Sequence, residues 1–207
     1  MSKPLTLIAI DIDDVVADTI GRVREWANIK TGKKLEAHHY HTDDEYWKYY
    51  DTIWMRHGVA DQLVFEDFMA ELDVDQSQIE TNVGAKEAIE KLQQKYEIVF
   101  ITSRPPSMKE ATRKWLDENI DDSIPLYLAA NPLANQTAKS KGELCIELGA
   151  GLLIDDNINN CQSALDSGVE AILFGNYGWS SNAPDTMNRC IDWAAVMERI
   201  DGREQRI

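Results

Sequence analysis

The stretch "LIAIDIDDVV", residues 7–16, decides the fold. An apolar run ends in Asp11, Asp13 and Asp14, and the chain then turns apolar again at Val15 and Val16. A short apolar run without polar alternation suits a strand buried on both faces of a parallel sheet. In an extended strand end Asp11 and Asp13 project to the same side. Two carboxylates about 4 Å apart repel by about 4 kcal/mol at an effective dielectric near ~20. The pattern therefore calls for a cation or for shared protons.

Similar runs follow at 97–102 ("EIVFIT"), 124–130 ("IPLYLAA"), 151–154 ("GLLI") and 170–175 ("EAILFG"). Helical patterns lie between them. "GAKEAIEKLQQKY" occupies 84–96, and "SMKEATRKWLDENI" occupies 107–120 with Ser107 and Glu110 at capping-box spacing. "SKGELCIELG" runs from the Ser140/Glu143 pair to Gly149, and "NNCQSALDSG" stops at Gly168. Strands alternating with helices predict an α/β fold, a doubly wound parallel sheet whose ligands bind beyond the carboxyl ends of the strands.

About eighty residues separate the first strand from the second, far more than a βαβ crossover needs. Three helical patterns fill them. One ends at Gly32, one runs from a Thr42/Glu45 capping box to Gly58, and one carries Leu63, Phe65, Phe68, Met69 and Leu72. The predicted organisation is an α/β core of residues 1–16 and 81–207 with a small helical cap, 17–80, over the strand ends.

Composition narrows the function. With 36 acidic against 21 basic residues the net charge is -15, which repels nucleic-acid phosphates and anionic membranes. A small substrate is expected, with no nucleic acid and no membrane partner. The apolar run at the start is too short for a membrane span, so a cytoplasmic protein is expected. Cys145, Cys161 and Cys190 lack paired spacing and read as buried hydrophobes. His38, His39 and His41 lie in a polar loop and read as solvent-facing.

The strand ends carry the chemistry. The first delivers Asp11 and Asp13, the second Thr102, Ser103 and Arg104, and the fourth Asp155 and Asp156. Lys141 opens the helix before the fourth strand, and its helix start favours it over Lys139 as the site lysine. All-oxygen ligands favour a hard ion, and few carboxylates completed by water and phosphate suit Mg2+ better than Ca2+. Hydroxyls at Thr102 and Ser103, nearby backbone N–H groups and the Lys141 ammonium would meet the charge of a bound phosphate.

The segments "IAIDIDDVVADT", "VFITSRP", Lys141 in "KGELCIELG" and "LLIDDN" resemble, in order, the four motifs of the haloacid dehalogenase-like phosphohydrolases. The resemblance implies a two-step phosphoryl transfer. Asp11 would attack phosphorus, and Asp13 would protonate the leaving alcohol and then deprotonate water. Mg2+ would be held by the Asp11 carboxylate, the Asp13 carbonyl and Asp156, with Asp155 behind them. Asp14 stands where that family commonly has glycine.

The helical insertion, "LLIDDNINNC", the turn "FGNYGW" and the helix "CIDWAAVMERI" look most like the cytosolic 5'(3')-deoxyribonucleotidase group. A nucleotide substrate is the implied expectation, with a ring of "EYWKYYDTIWMRHG" available to stack on a base although most of that stripe should pack inward. Three alternatives stand beside it: a polynucleotide 3'-phosphatase, a phosphatase for another small molecule, and a sensor that binds a phosphorylated ligand without turnover. Nothing in the sequence indicates the oligomeric state.

Overall fold

A computed structural model describes residues 6–43, 46–131 and 137–204. Six parallel strands form the sheet. The first, β1 (Leu7–Ile10), is followed by α1 (Thr19–Thr31), α2 (Tyr49–Arg56), α3 (Phe65–Val74) and α4 (Ala85–Gln93). Then come β2 (Glu97–Thr102), α5 (Lys109–Asn119), β3 (Leu126–Leu128), α6 (Lys141–Leu148) and β4 (Leu152–Asp155). The chain continues through α7 (Ile158–Asp166), β5 (Glu170–Phe174), β6 (Arg189–Cys190) and α8 (Trp193–Glu204).

The strand order β3-β2-β1-β4-β5-β6 places β1 in the centre. The order reverses between β1 and β4, which is where a doubly wound sheet opens a crevice for ligands. Asp11 N–H donates to the Ile154 carbonyl at 2.9 Å, so the ladder extends one residue past β1 and holds Asp11 beside the end of β4.

Alternation along the strands divides the core. Ile8, Ile10, Ile98, Phe100, Leu152 and Ile154 face one side, packing with Leu92, Trp115, Trp193 and Val196. Ala9, Val99, Ile101, Leu153 and Leu173 face the other, against Cys145, Cys161 and Ala164 of α6 and α7. The three cysteines are free and buried. The apolar face of the inserted helices does not stand alone: Trp26, Ile53, Trp54 and Phe68 belong to the first of these two clusters.

Local signals hold in several places and fail in others. Ser140 caps α6, its hydroxyl accepting from Glu143 N–H while the Glu143 carboxylate accepts from Ser140 N–H. Gly32 and Gly149 end their helices in the left-handed region, with φ of 68° and 78°. Ser107 and Glu110 form no such box. Pro106 opens a 3-10 turn at Pro106–Met108, and α5 starts only at Lys109 with no side-chain cap. Tyr46–Lys48 is likewise a 3-10 turn ahead of α2, and Glu45 of the expected Thr42/Glu45 box lies outside the described residues. The two-residue strand β6 has no counterpart in the sequence reading.

The crossing of α6 and α7 is close because Gly142 has no side chain. A Cβ there would lie 2.3 Å from the Ser163 carbonyl oxygen, so the neighbouring backbone would have to move. Gly142→Ala is therefore expected to cost about 1–3 kcal/mol of stability, read as a lower urea midpoint at unchanged slope. A midpoint equal to that of the unsubstituted protein would show that the crossing is not tight.

Candidate active site

Charged and hydroxylic side chains gather at the crevice between β1 and β4. Lys141, the first residue of α6, places Nζ 2.7 Å from Asp11 Oδ1 and 2.7 Å from Asp155 Oδ2. All three side chains are buried. Carboxylate oxygens of Asp11, Asp155 and Asp156 lie within 4.8 Å of one another. Lys139, by contrast, pairs with Glu147 at the surface. The helix start accounts for the difference, because the Ser140 box turns the next residue inward.

The three carboxylates differ in how well they are satisfied. Asp155 accepts from Lys141 through Oδ2, and from Asn157 N–H and Asn160 Nδ2 through Oδ1. Asp156 accepts from the indole N–H of Trp179 at 2.8 Å. Burial raises the Asp156 carboxyl well above the usual range, and the Asp155, Asp11 and Asp14 charges raise it further against the pull of Lys141. Burial likewise pushes Asp11 up to about 7 against the pull of Lys141, with Asp155 and Asp13 adding to the rise. Burial alone would lower the Lys141 ammonium, but Asp11 and Asp155 outweigh it and hold it above the usual lysine range. One ammonium thus leaves Asp11 and Asp156 under-compensated. The donor set is entirely hard oxygen, which fits Mg2+ and gives a softer metal no preferred ligand.

Asp13 turns away from that trio. Its carboxylate accepts from Arg104 Nη2 at 2.7 Å and from Arg104 Nε at 2.9 Å, and from the Thr19 hydroxyl at 2.7 Å. Burial pushes its carboxyl up, but Arg104 and Thr19 outweigh that and hold it below the usual range. Thr102 is fully buried, and its hydroxyl accepts from Arg104 N–H at 3.1 Å, so its own proton remains for an acceptor. The Ser103 carbonyl accepts from Asn131 Nδ2 at 2.6 Å.

Asp14 has a local role. Its φ of 58° makes it the one non-glycine residue in the left-handed region among those described, a conformation that aspartate tolerates better than most residues. Its carboxylate accepts from Ile20 N–H at 2.8 Å in the first turn of α1, and its carbonyl accepts from the Tyr177 hydroxyl at 2.6 Å. A glycine would satisfy the same φ without the bond to Ile20 N–H, which adds to the N-cap made by Asp18 on Gly21 N–H at 3.0 Å.

Three contributors escaped the sequence reading as site residues. Arg104 was legible only as a basic residue at a strand end. Trp179 stacks on Tyr177 with ring centroids 4.6 Å apart and meets Tyr49 edge-on at 4.8 Å, so the tail turn and the inserted helices share the ring that touches Asp156. Gln76, just after α3, reaches Arg104. The inserted segment also brings Tyr46 and Tyr50 near the acids: burial raises both phenols, and Asp156 and Asp13 for Tyr46, and Asp14 for Tyr50, raise them further. His38, His39 and His57 cluster ring to ring, at centroid distances of 3.9 and 4.6 Å, and His38 pairs with Glu36. A hollow of about 510 Å3 lined by Asp18, Arg22, Glu25 and Glu80 runs beside α1 and carries mixed charge without the acid cluster.

Comparison with known proteins bears on the fold and the family. Among solved structures, a conserved haloacid dehalogenase-like protein from Agrobacterium tumefaciens is similar, with a TM-score of 0.62 at 12% identity over 97% of this chain and 100% of that one. A predicted phosphoglycolate phosphatase from Haemophilus somnus gives 0.60 at 14% over 95% and 98%. A D,D-heptose 1,7-bisphosphate phosphatase from B. bronchiseptica, complexed with magnesium and phosphate, gives 0.51 at 13% over 96% and 99%. At these identities the likeness is one of fold. No curated protein matches by sequence. No helix among the described residues is long and apolar enough to cross a membrane. The family model described as "5' nucleotidase, deoxy (Pyrimidine), cytosolic type C protein" matches residues 5–205, and the chain therefore belongs to that family, among the haloacid dehalogenase-like phosphohydrolases.

Proposed function

We propose that the protein hydrolyses phosphate monoesters in a Mg2+-dependent reaction, with (deoxy)nucleoside 5'-monophosphates as its substrates. The observation that carries the chemistry is Lys141, held 2.7 Å from both Asp11 and Asp155 at the switch point of the sheet. The family description supports the nucleotide and a cytosolic location.

In this reading Asp11 is the nucleophile. Its carboxylate oxygen bonds to phosphorus as the ester oxygen leaves, and that oxygen takes a proton from Asp13. Against the effect of burial, Arg104 and Thr19 hold Asp13 ionised in the free protein, and it therefore takes up its proton together with the substrate dianion. The Asp13 carboxylate then takes a proton from the water that displaces Asp11. Lys141 and the hydroxyls of Thr102 and Ser103 hold the phosphoryl oxygens. Asp11, Asp156 and the Asp13 carbonyl would hold Mg2+, and Asp155 orients Lys141. Mg2+ supplies charge neutralisation for the carboxylates and the transferring phosphoryl group. Residues 17–80 act as the cap, with Tyr46 and Tyr50 offering rings to the base.

A panel of deoxy- and ribonucleoside 5'- and 3'-monophosphates, sugar phosphates and a 3'-phosphorylated oligonucleotide tests the substrate. Preference for 5'-mononucleotides is expected. Preference for the oligonucleotide with steep salt dependence would favour a polynucleotide phosphatase instead, and ligand binding without phosphate release would favour a sensor. On the preferred substrate Asp11→Asn is expected to abolish turnover and Asp13→Asn to cut kcat by about 100-fold or more. Near-native turnover of Asp11→Asn would overturn the mechanism.

Metal affinity is expected to depend on pH. Mg2+ competes with the protons on Asp11, whose carboxyl is pushed up to about 7 by burial, and on Asp156, which burial also raises. Affinity should therefore fall as pH drops, by at least about tenfold per pH unit below about 7, the slope for displacing one proton, and more steeply where both protons must leave. Calorimetric Mg2+ titration from about pH 5.5 to about pH 8 reads this directly. Affinity that stays flat across the range would show that Asp11 is not a ligand.

A further inference from the structure

Arg104 is the largest commitment of buried hydrogen bonding in the site that the mechanism above leaves unused. Its side chain is only 3% exposed. Nε and Nη2 grip the Asp13 carboxylate, and Nη1 donates to Gln76 Oε1 at 2.5 Å and to the Thr112 hydroxyl at 3.1 Å. Gln76 is itself fixed, since Nε2 donates to the Leu72 carbonyl at 3.1 Å and to Thr112 at 3.2 Å. A buried guanidinium persists only when its donors are met, and here they are met by two side chains besides Asp13. The fork is therefore held rigidly from behind, and it does not present itself to a bound phosphate.

We propose that Arg104 is a positioning residue, aiming the Asp13 carboxyl at the leaving-group oxygen and tying its aim, through Gln76, to the base of the inserted helices. The proposal rests on the phosphatase reading above. A rigid two-oxygen grip fixes both the rotamer and the plane of the carboxyl, which a lysine ammonium cannot do. It sets where the proton stands when the phosphorus–oxygen bond breaks. Misplacement of a reacting group by about 1 Å costs on the order of 100-fold.

Leaving-group dependence separates positioning from plain structural support. An alkyl phosphate, such as a nucleoside 5'-monophosphate, expels a basic alkoxide and needs the proton. An aryl ester such as p-nitrophenyl phosphate expels a stable phenolate and needs it far less. Arg104→Lys is expected to lower kcat on the alkyl ester by about 10- to 100-fold more than on the aryl ester, with KM changed less than kcat. Guanidinium added to Arg104→Ala is expected to restore part of the alkyl-ester rate. Gln76→Leu, which leaves Arg104 and both aspartates in place, should shift the ratio the same way by a smaller factor and keeps the test intact if the Arg104 variants lose their fold. Equal losses on both esters in Arg104→Lys, or an unshifted ratio in folded Gln76→Leu, would overturn the positioning role. An unsubstituted protein that turns over neither ester would overturn the phosphatase reading itself, and this proposal with it.

Discussion

The repulsion among Asp11, Asp13, Asp14, Asp155 and Asp156 is the constraint on which the rest of this site depends. Four of these five are buried, and the cations set against them are Lys141 and Arg104. Each cation is spent on a particular pair of oxygens. Lys141 serves Asp11 and Asp155, while Arg104 serves Asp13. What remains uncompensated is concentrated on Asp11 and Asp156, between the ends of β1 and β4. A divalent cation held there would relieve that excess, and its positive charge would make the place fit for a phosphate.

Much of the surrounding structure reads as support for this arrangement. The α6–α7 crossing, made close by Gly142, seats the helix whose first residue is Lys141. Gly178 packs where a Cβ would lie 2.0 Å from the Thr42 carbonyl oxygen, which brings the tail turn against the inserted segment and sets Trp179 on Asp156. The Tyr177 hydroxyl fixes the Asp14 carbonyl, and the Trp193 indole fixes the Val15 carbonyl at 3.0 Å. The loop after β1 is thus held from three directions: by the tail, by the turn at residues 81–82 and by Arg104. Asp13 is held by Thr19 of the inserted segment and by Arg104 after β2, and Arg104 is held in turn by Gln76 and by Thr112 of α5, so the site's shape is a property of the whole chain.

The sequence made some of this legible and hid the rest for physical reasons. Apolar runs without alternation marked five of the six strands, because a strand covered on both faces has no polar side to show. Acids at strand ends of a doubly wound sheet gather at one crevice, and Asp11, Asp155 and Asp156 meet because β1 and β4 are neighbours in the sheet. Ser140 and Glu143 are a local signal, and they turned Lys141 inward where Lys139 stays outside. Ser107 and Glu110 carry the same letters, but Pro105 and Pro106 impose a 3-10 start that no cap survives. Arg104, Gln76 and Trp179 owe their roles to partners 91, 28 and 23 positions away, and no local pattern encodes such pairs. Asp14 answers to a backbone angle, which its letter alone does not disclose.

The proposed mechanism turns on a covalent bond between phosphorus and Asp11. Rapid quenching of the protein during turnover, followed by borohydride reduction and peptide mass spectrometry, tests it most directly, because an acyl phosphate at an aspartate is reduced to homoserine. Homoserine is expected at residue 11, dependent on substrate and absent in Asp11→Asn. Turnover with no modified residue, or with the modification at another aspartate, would contradict it.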